Sequence, residues 1–146
     1  MNETINNLVN RRSVRSYQNK QIDEEALQQI LQAGLYAPSG MGRQPTIMVV
    51  IQDEATIKEV SRLNGAVMNS DSDPFYGAPT VIVVLADSTV PTYREDGSLV
   101  MGNLMNAAWA VGVDSCWIHR AREVFDSPEG KALLKKWGID GKYVGI

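Results

Sequence analysis

Two nearly unbroken apolar runs, Thr46–Gln52 (TIMVVIQ) and Thr80–Ala86 (TVIVVLA), constrain this chain more than any other feature. Both are rich in β-branched residues, and this predicts two strands. Neither run alternates apolar with polar, so both strands read as buried. The segments around them carry apolar residues at helical spacing. Thr4–Asn10 places Ile5, Leu8 and Val9 on one face. Asp23 reads as the N-cap of a helix to about Tyr36, with Ala26, Leu27, Ile30, Leu31 and Leu35 inward and Pro38 as its stop.

Asp53 reads as the cap of a helix bearing Ile57, Val60 and Leu63, and 64–78 reads as irregular. Asp96 is expected to cap a long helix to about Val111, bearing Leu99, Val100, Leu104, Ala107, Ala108 and Val111. Asp114–Ile118 is expected to be a third, short strand. Ser127-Pro128 starts a final helix carrying Leu133, Leu134 and Trp137, and Gly138 ends it. Tyr143–Ile146 reads as a strand that stops as it begins, as though the chain were cut inside an element. Strands interleaved with helices in a 146-residue chain without repeats predict one layered domain. The expected class is α+β, with a mixed central sheet flanked by helices.

Composition removes several functions. Fourteen Lys+Arg against 17 Asp+Glu leave a net charge of -3, without a basic footprint for nucleic acid. No apolar run approaches the roughly 20 residues of a membrane span, and the N-terminus lacks the apolar core of a secretory signal. One cysteine, Cys116, permits no intrachain disulfide, and a reducing cytoplasm is the expected compartment. One cysteine and one histidine, His119, do not build a usual zinc site. There is no Walker A sequence and no nucleophile elbow. Gly40-Met41-Gly42 precedes a strand, whereas a Rossmann fingerprint follows one.

Three clusters carry chemistry. Arg11-Arg12-Ser13-Val14-Arg15 gathers three guanidiniums and a hydroxyl within five residues. Arginine's planar fork matches phosphate oxygens, so the set suits a phosphomonoester; a solvated basic patch is the blander alternative. Ala37–Pro45 (APSGMGRQP) has two glycines and a serine that let backbone approach a flat ligand, or it is a plain connection. Gly112–Arg120 (GVDSCWIHR) leaves a helix, forms a short strand and exits polar, where backbone donors commonly meet ligands. Cys116 and Trp117 also suit core packing, and His119 suits a surface position. Met101, Met105 and Trp109 read as core or subunit-interface residues.

In this order the clusters resemble the nitroreductase family of FMN-dependent oxidoreductases. The resemblance rests on RRSVR at 11–15, PSGMGRQP at 38–45, GNLMNAAWAVG at 102–112 and GVDSCWI at 112–118. It spans nearly the whole chain, and four motifs in register are specific where each alone is weak. It implies one FMN-binding domain over 1–146, in an obligate homodimer with FMN at the interface. Arg11 and Ser13 then resemble the phosphate and ribityl ligands, with Arg12 beside them and Arg15 near the N1 and C2 carbonyl end of the ring. Pro38, Ser39, Gly40, Met41 and Gly42 resemble the loop lent by the second subunit. Ile118, His119 and Arg120 would pass the flavin N5 edge.

The implied activity is ping-pong transfer from NAD(P)H to a nitroaromatic, quinone or similar small acceptor, with no obligatory catalytic side chain. A flavin-binding sensor or carrier without turnover is the alternative, and a structural domain that binds no nucleotide is a third. The chain departs from the family pattern at four places. Gly42 stands where Asn is frequent, and Thr46 where an aromatic is frequent. His119 and Arg120 stand where small residues are common. Family chains also usually continue past Ile146 into a closing strand, a dimer-embracing tail and a basic phosphate ligand.

Overall fold

In the computed structural model, which describes residues 1–146, strand β1 (Thr46–Ile51) pairs antiparallel with β2 (Val81–Asp87), and β2 with β3 (Tyr143–Gly145). Register runs from Thr46 opposite Ala86 to Ile51 opposite Val81, and Leu85 faces Gly145. Because side chains alternate faces along a strand, β2 feeds two cores. Val83 and Leu85 point into one core, with Ile51, Val60, Leu63, Phe75, Val124, Phe125 and Leu134. Val84 points into the other, with Ile30, Val100, Leu104 and Ala108. Leu85 and Ala86 are fully buried, and burying one such leucine stabilises the fold by about 1.5–3 kcal/mol.

Helices supply both covers. Helices α1 (Glu3–Asn10), α2 (Glu24–Leu35), α3 (Glu54–Val67), α4 (Tyr93–Ala110), α5 (Ala121–Asp126) and α6 (Pro128–Lys136) follow in chain order. The α2/α4 pair lines the Val84 side, and α3, α5 and α6 line the Leu85 side. Asp23, Asp53 and Ser127 cap α2, α3 and α6 by accepting backbone N–H groups of Ala26, Thr56 and Gly130. Each such cap contributes on the order of 1 kcal/mol. None of these helices is long and apolar enough to cross a membrane.

The α+β class with a helix-flanked central sheet is as expected, but several details differ. All strands of the sheet pair antiparallel. The mixed character reduces to one isolated parallel bridge, Ser13–Ser115. Burial on both faces came from helix cover on each side, which an antiparallel sheet also allows. The stretch expected as a third strand, 114–118, makes only that bridge. Helix α3 runs on to Val67, into the region expected to be irregular. Helix α5 has no clear signal in the sequence; six residues are too few for the apolar period to declare itself. Helix α4 begins at Tyr93, so Asp96 lies inside its first turn instead of capping it.

Candidate functional site

The arginine cluster begins where α1 stops. Arg11 is the C-cap with extended backbone (ψ 137°), and the chain then runs beside the segment after α4. The Val14 N–H donates to the Ser115 carbonyl at 3.1 Å, and the Tyr17 hydroxyl donates to the Val14 carbonyl. Burial of Tyr17, with the nearby Cys116 and Asp114, pushes its pKa up to about 12. Arg12 is exposed and turns back onto the Val9 and Arg11 carbonyls at 2.9 and 2.8 Å. Ser13 and Arg15 are exposed. Arg11 is half-buried, and its Nη1 is enclosed with no hydrogen-bond partner.

An enclosed guanidinium nitrogen without an acceptor is costly unless an oxygen completes it. A second such donor, Trp117 Nε1, lies in the facing segment. The two segments joined by the Ser13–Ser115 bridge therefore hold both of the orphaned buried side-chain donors. Arg11, with the exposed Ser13 hydroxyl and Arg15 nearby in sequence, fits a phosphate-bearing anion.

The loop of Pro38–Gly42 is held by α4. The Gly40 N–H donates to Asp96 Oδ1 at 2.9 Å, and the Thr92 hydroxyl donates to Oδ2 at 2.7 Å. Asp96 is only 2% exposed. The approach at Gly40 is so close that a Cβ there would stand 2.4 Å from Thr92 Oγ1. Ser39 Oγ accepts the Gln44 N–H at 2.9 Å and closes the turn. Pro38 and Gly42 are exposed, and Met41 projects outward at 85% exposure with φ 55°.

The third group lies just before α5. His119 and Arg120 both adopt left-handed backbone, φ 69° and 67°. That conformation costs little only for glycine, and here two non-glycine residues take it in succession. It explains why small residues suit these positions in the family pattern. His119 is exposed, with its ring 5.6 Å from the Trp117 indole.

The structure brings the first and third groups together and sets the second apart. Helix α4 has 18 residues and so is about 27 Å long. Gly40 meets it at Asp96, near its start. Asn7 Nδ2 donates to the Asn106 carbonyl at 2.8 Å, which seats α1 near its end. The turn at Gly112 (φ 77°) then leads into Ser115. Within one chain, the 38–42 loop therefore lies toward the other end of α4 from the arginine cluster.

A cavity of about 720 Å³ follows the β2 edge that β3 leaves unpaired and reaches the third group, with Tyr17, Ile82, Val84, Met105, Trp117 and His119 among its lining residues. Arg11, Ser13 and Arg15 do not line it. Its volume is ordinary for a ligand pocket, and the arginine cluster lies outside its lining.

Sequence reasoning missed Tyr17, Asn64 and the loop-holding role of Asp96, which it reads only as a helix cap. The last two left a signal. Asn64 interrupts the apolar stripe of Ile57 and Val60, and Asp96 precedes Val100, Leu104 and Ala108 at steps of four. A polar residue on an inward helical face needs partners, and both have them.

Residues 8–146 match the nitroreductase family profile. A provisionally named NADH dehydrogenase/NAD(P)H nitroreductase from Archaeoglobus fulgidus is 32% identical over 123 residues, covering 81% of this chain and 68% of that protein. A nitroreductase with bound FMN from Bacteroides fragilis superposes with TM-score 0.91 at 30% identity, over 99% of this chain and 84% of that one. A nitroreductase with bound FMN from Desulfitobacterium hafniense gives TM-score 0.85 at 26% identity, over 99% and 85%. The profile match covers almost the whole length, and the chain belongs to the nitroreductase family.

Proposed function

We propose that this chain binds FMN and, as a homodimer, passes electrons from NAD(P)H to a nitroaromatic, quinone or similar small acceptor. The observation that carries the reading is the enclosed, unpartnered Nη1 of Arg11 beside the Ser13–Ser115 bridge. Arg11 and Ser13 hold the phosphate and ribityl end, with Arg12 alongside. Arg15 places positive charge near the N1 and C2 carbonyl end, where it favours the reduced anionic ring. Ile118, His119 and Arg120 present backbone to the N5 edge. Bound FMN supplies the two-electron redox chemistry; the chain binds, orients and excludes water.

Dimerisation is supported by what one chain leaves uncovered. Helix α1 buries none of its residues, and Ile5, Leu8 and Val9 remain 48%, 47% and 51% exposed. Leu35, Tyr36, Met41 and Leu99 are exposed as well. Lending Pro38, Ser39, Gly40, Met41 and Gly42 to a partner's site accounts for their distance from the chain's own arginine cluster. The FMN bound to the Bacteroides and Desulfitobacterium proteins supports the cofactor.

The test is an absorption spectrum of protein incubated with FMN and freed of excess, then titrated anaerobically with NADH and with NADPH. A retained flavin spectrum that either nucleotide bleaches is the expected result. Protein that stays colourless sinks the proposal. Flavin that is retained but never reduced selects the sensor or carrier reading.

A further inference from the structure

We propose that Asn64 is a positioning residue, whose buried carboxamide holds the His119–Arg120 turn in its left-handed form and so fixes the backbone at the flavin edge. The last clause rests on the FMN reading above; the clamp itself does not. Asn64 sits on α3, 4% exposed, among the buried Val60, Leu63 and Gly65. Both ends of its amide point at one turn. Nδ2 donates to the His119 carbonyl at 3.1 Å, and Oδ1 accepts from Arg120 Nε at 2.9 Å. The amide orientation follows from chemistry, since a carbonyl only accepts and a guanidinium only donates.

Of the six non-glycine residues with positive φ, this pincer bears on the two that are adjacent in the chain. His119 and Arg120 are consecutive non-glycine residues at φ 69° and 67°. Such conformations persist only where the surroundings over-determine them. Arg120 is also the N-cap of α5, and it makes no side-chain cap hydrogen bond there. The constraint at this helix start therefore comes across the fold from α3. The Arg120 side chain, whose Cβ makes the turn unfavourable, also supplies through Nε one of the bonds that secures it. Glycine at these positions would need no such restraint. Asn64 is thus the counterpart of His119 and Arg120 standing where small residues are common.

The test is a double-mutant cycle between Asn64→Leu and the paired change His119→Gly, Arg120→Gly. The first readout is the chemical unfolding midpoint of the flavin-free protein. Asn64→Leu should lower it clearly in the parent chain, and by less than half as much in the diglycine background. Equal losses in both backgrounds would mean ordinary core packing and overturn the proposal. If Asn64→Leu does not fold in either background, Asn64→Asp replaces it, since Asp keeps the acceptor for Arg120 and lacks the donor for His119.

The second readout is the visible spectrum and dissociation constant of bound FMN. Asn64→Leu should shift the spectrum and weaken binding about tenfold in the parent, with both largely restored in the diglycine background. Coupled stability with an unmoved spectrum and affinity would overturn the positioning role. A parent protein that binds no FMN would instead refute the cofactor reading, leaving the clamp to the stability cycle alone.

Discussion

Asp96, inside the first turn of α4, accepts the Gly40 N–H at 2.9 Å and so ties the Pro38–Gly42 loop to the long helix. The carboxylate is almost wholly buried, yet its second oxygen is also used, by the Thr92 hydroxyl. Its place in the first helical turn adds a favourable interaction with the helix dipole. A loop with three exposed members thereby gains a fixed point.

Replacing Asp96 tests that fixed point. Asp96→Ala strands the Gly40 N–H and should cost roughly 1–3 kcal/mol, read as a lower urea midpoint. Asp96→Asn keeps an acceptor for Gly40 and a donor for Thr92, so it should cost less. If the loop serves a partner's flavin, Asp96→Ala should also weaken FMN retention more than Asp96→Asn does. Identical stability and FMN content in all three proteins would refute the tie.

Local rules reached most of the framework. Asp23, Asp53 and Ser127 cap helices as their sequence context predicts, because an N-cap is decided within four residues. Strand pairing was less legible. Val84 and Leu85 announce burial, but burial does not say which strand lies alongside or in which direction. The type and position of Asp96 suit a cap; only Gly40, 56 residues away, reveals its other use. The arginine cluster was visible as a list of donors. That Arg12 folds back while Arg11 is enclosed shows only in the fold, where the Ser13–Ser115 bridge sets the cluster against a segment about a hundred residues further along the chain.

Arg11 separates ligand binding from folding. Its Nη1 is buried without a partner in the protein alone, so Arg11→Ala should leave flavin-free stability unchanged or slightly raised. FMN affinity should fall roughly ten- to a hundredfold, the scale of hydrogen bonds to a charged group. The FMN-induced rise in melting temperature should shrink accordingly. Arg11→Lys keeps the charge but not the fork and should recover part of the affinity. A loss of flavin-free stability with unchanged FMN affinity would show that Arg11 is structural.

Tyr17 predicts an alkaline limit. Its pKa is raised from 10.0 to about 12, chiefly by burial. Between those values the unfolded chain has released the phenolic proton while the folded chain still holds it. The unfolded state binds fewer protons there, so stability must fall as pH rises. Below pH 10 this contribution is fully present, and it is lost progressively toward pH 12. Tyr17→Phe removes the titration, and it also strips the Val14 carbonyl of its donor, an offset of about 0.5–1.5 kcal/mol at every pH. The difference in urea midpoint between parent and variant should thus be constant up to pH 10 and narrow above it. A constant difference up to pH 12 would contradict the burial argument.

The uncovered face of α1 predicts the assembly. Ile5, Leu8 and Val9 are each close to half exposed, and no residue of the helix is buried. A helix of eight residues is marginal in isolation, so it needs tertiary or intersubunit packing on its apolar face. Within the chain, Asn7 gives it one polar anchor on α4. The paired change Ile5→Glu, Leu8→Glu places two charges on the apolar face and leaves that anchor intact. In sedimentation velocity the parent should run as a dimer and the variant should shift toward monomer. Under the proposed sharing of the site between subunits, bound FMN should fall in parallel. Circular dichroism should lose at most the eight residues of α1, because Ile5 and Leu8 lie outside the buried cores of the chain. A variant that remains dimeric and retains FMN would show that α1 lies outside the interface.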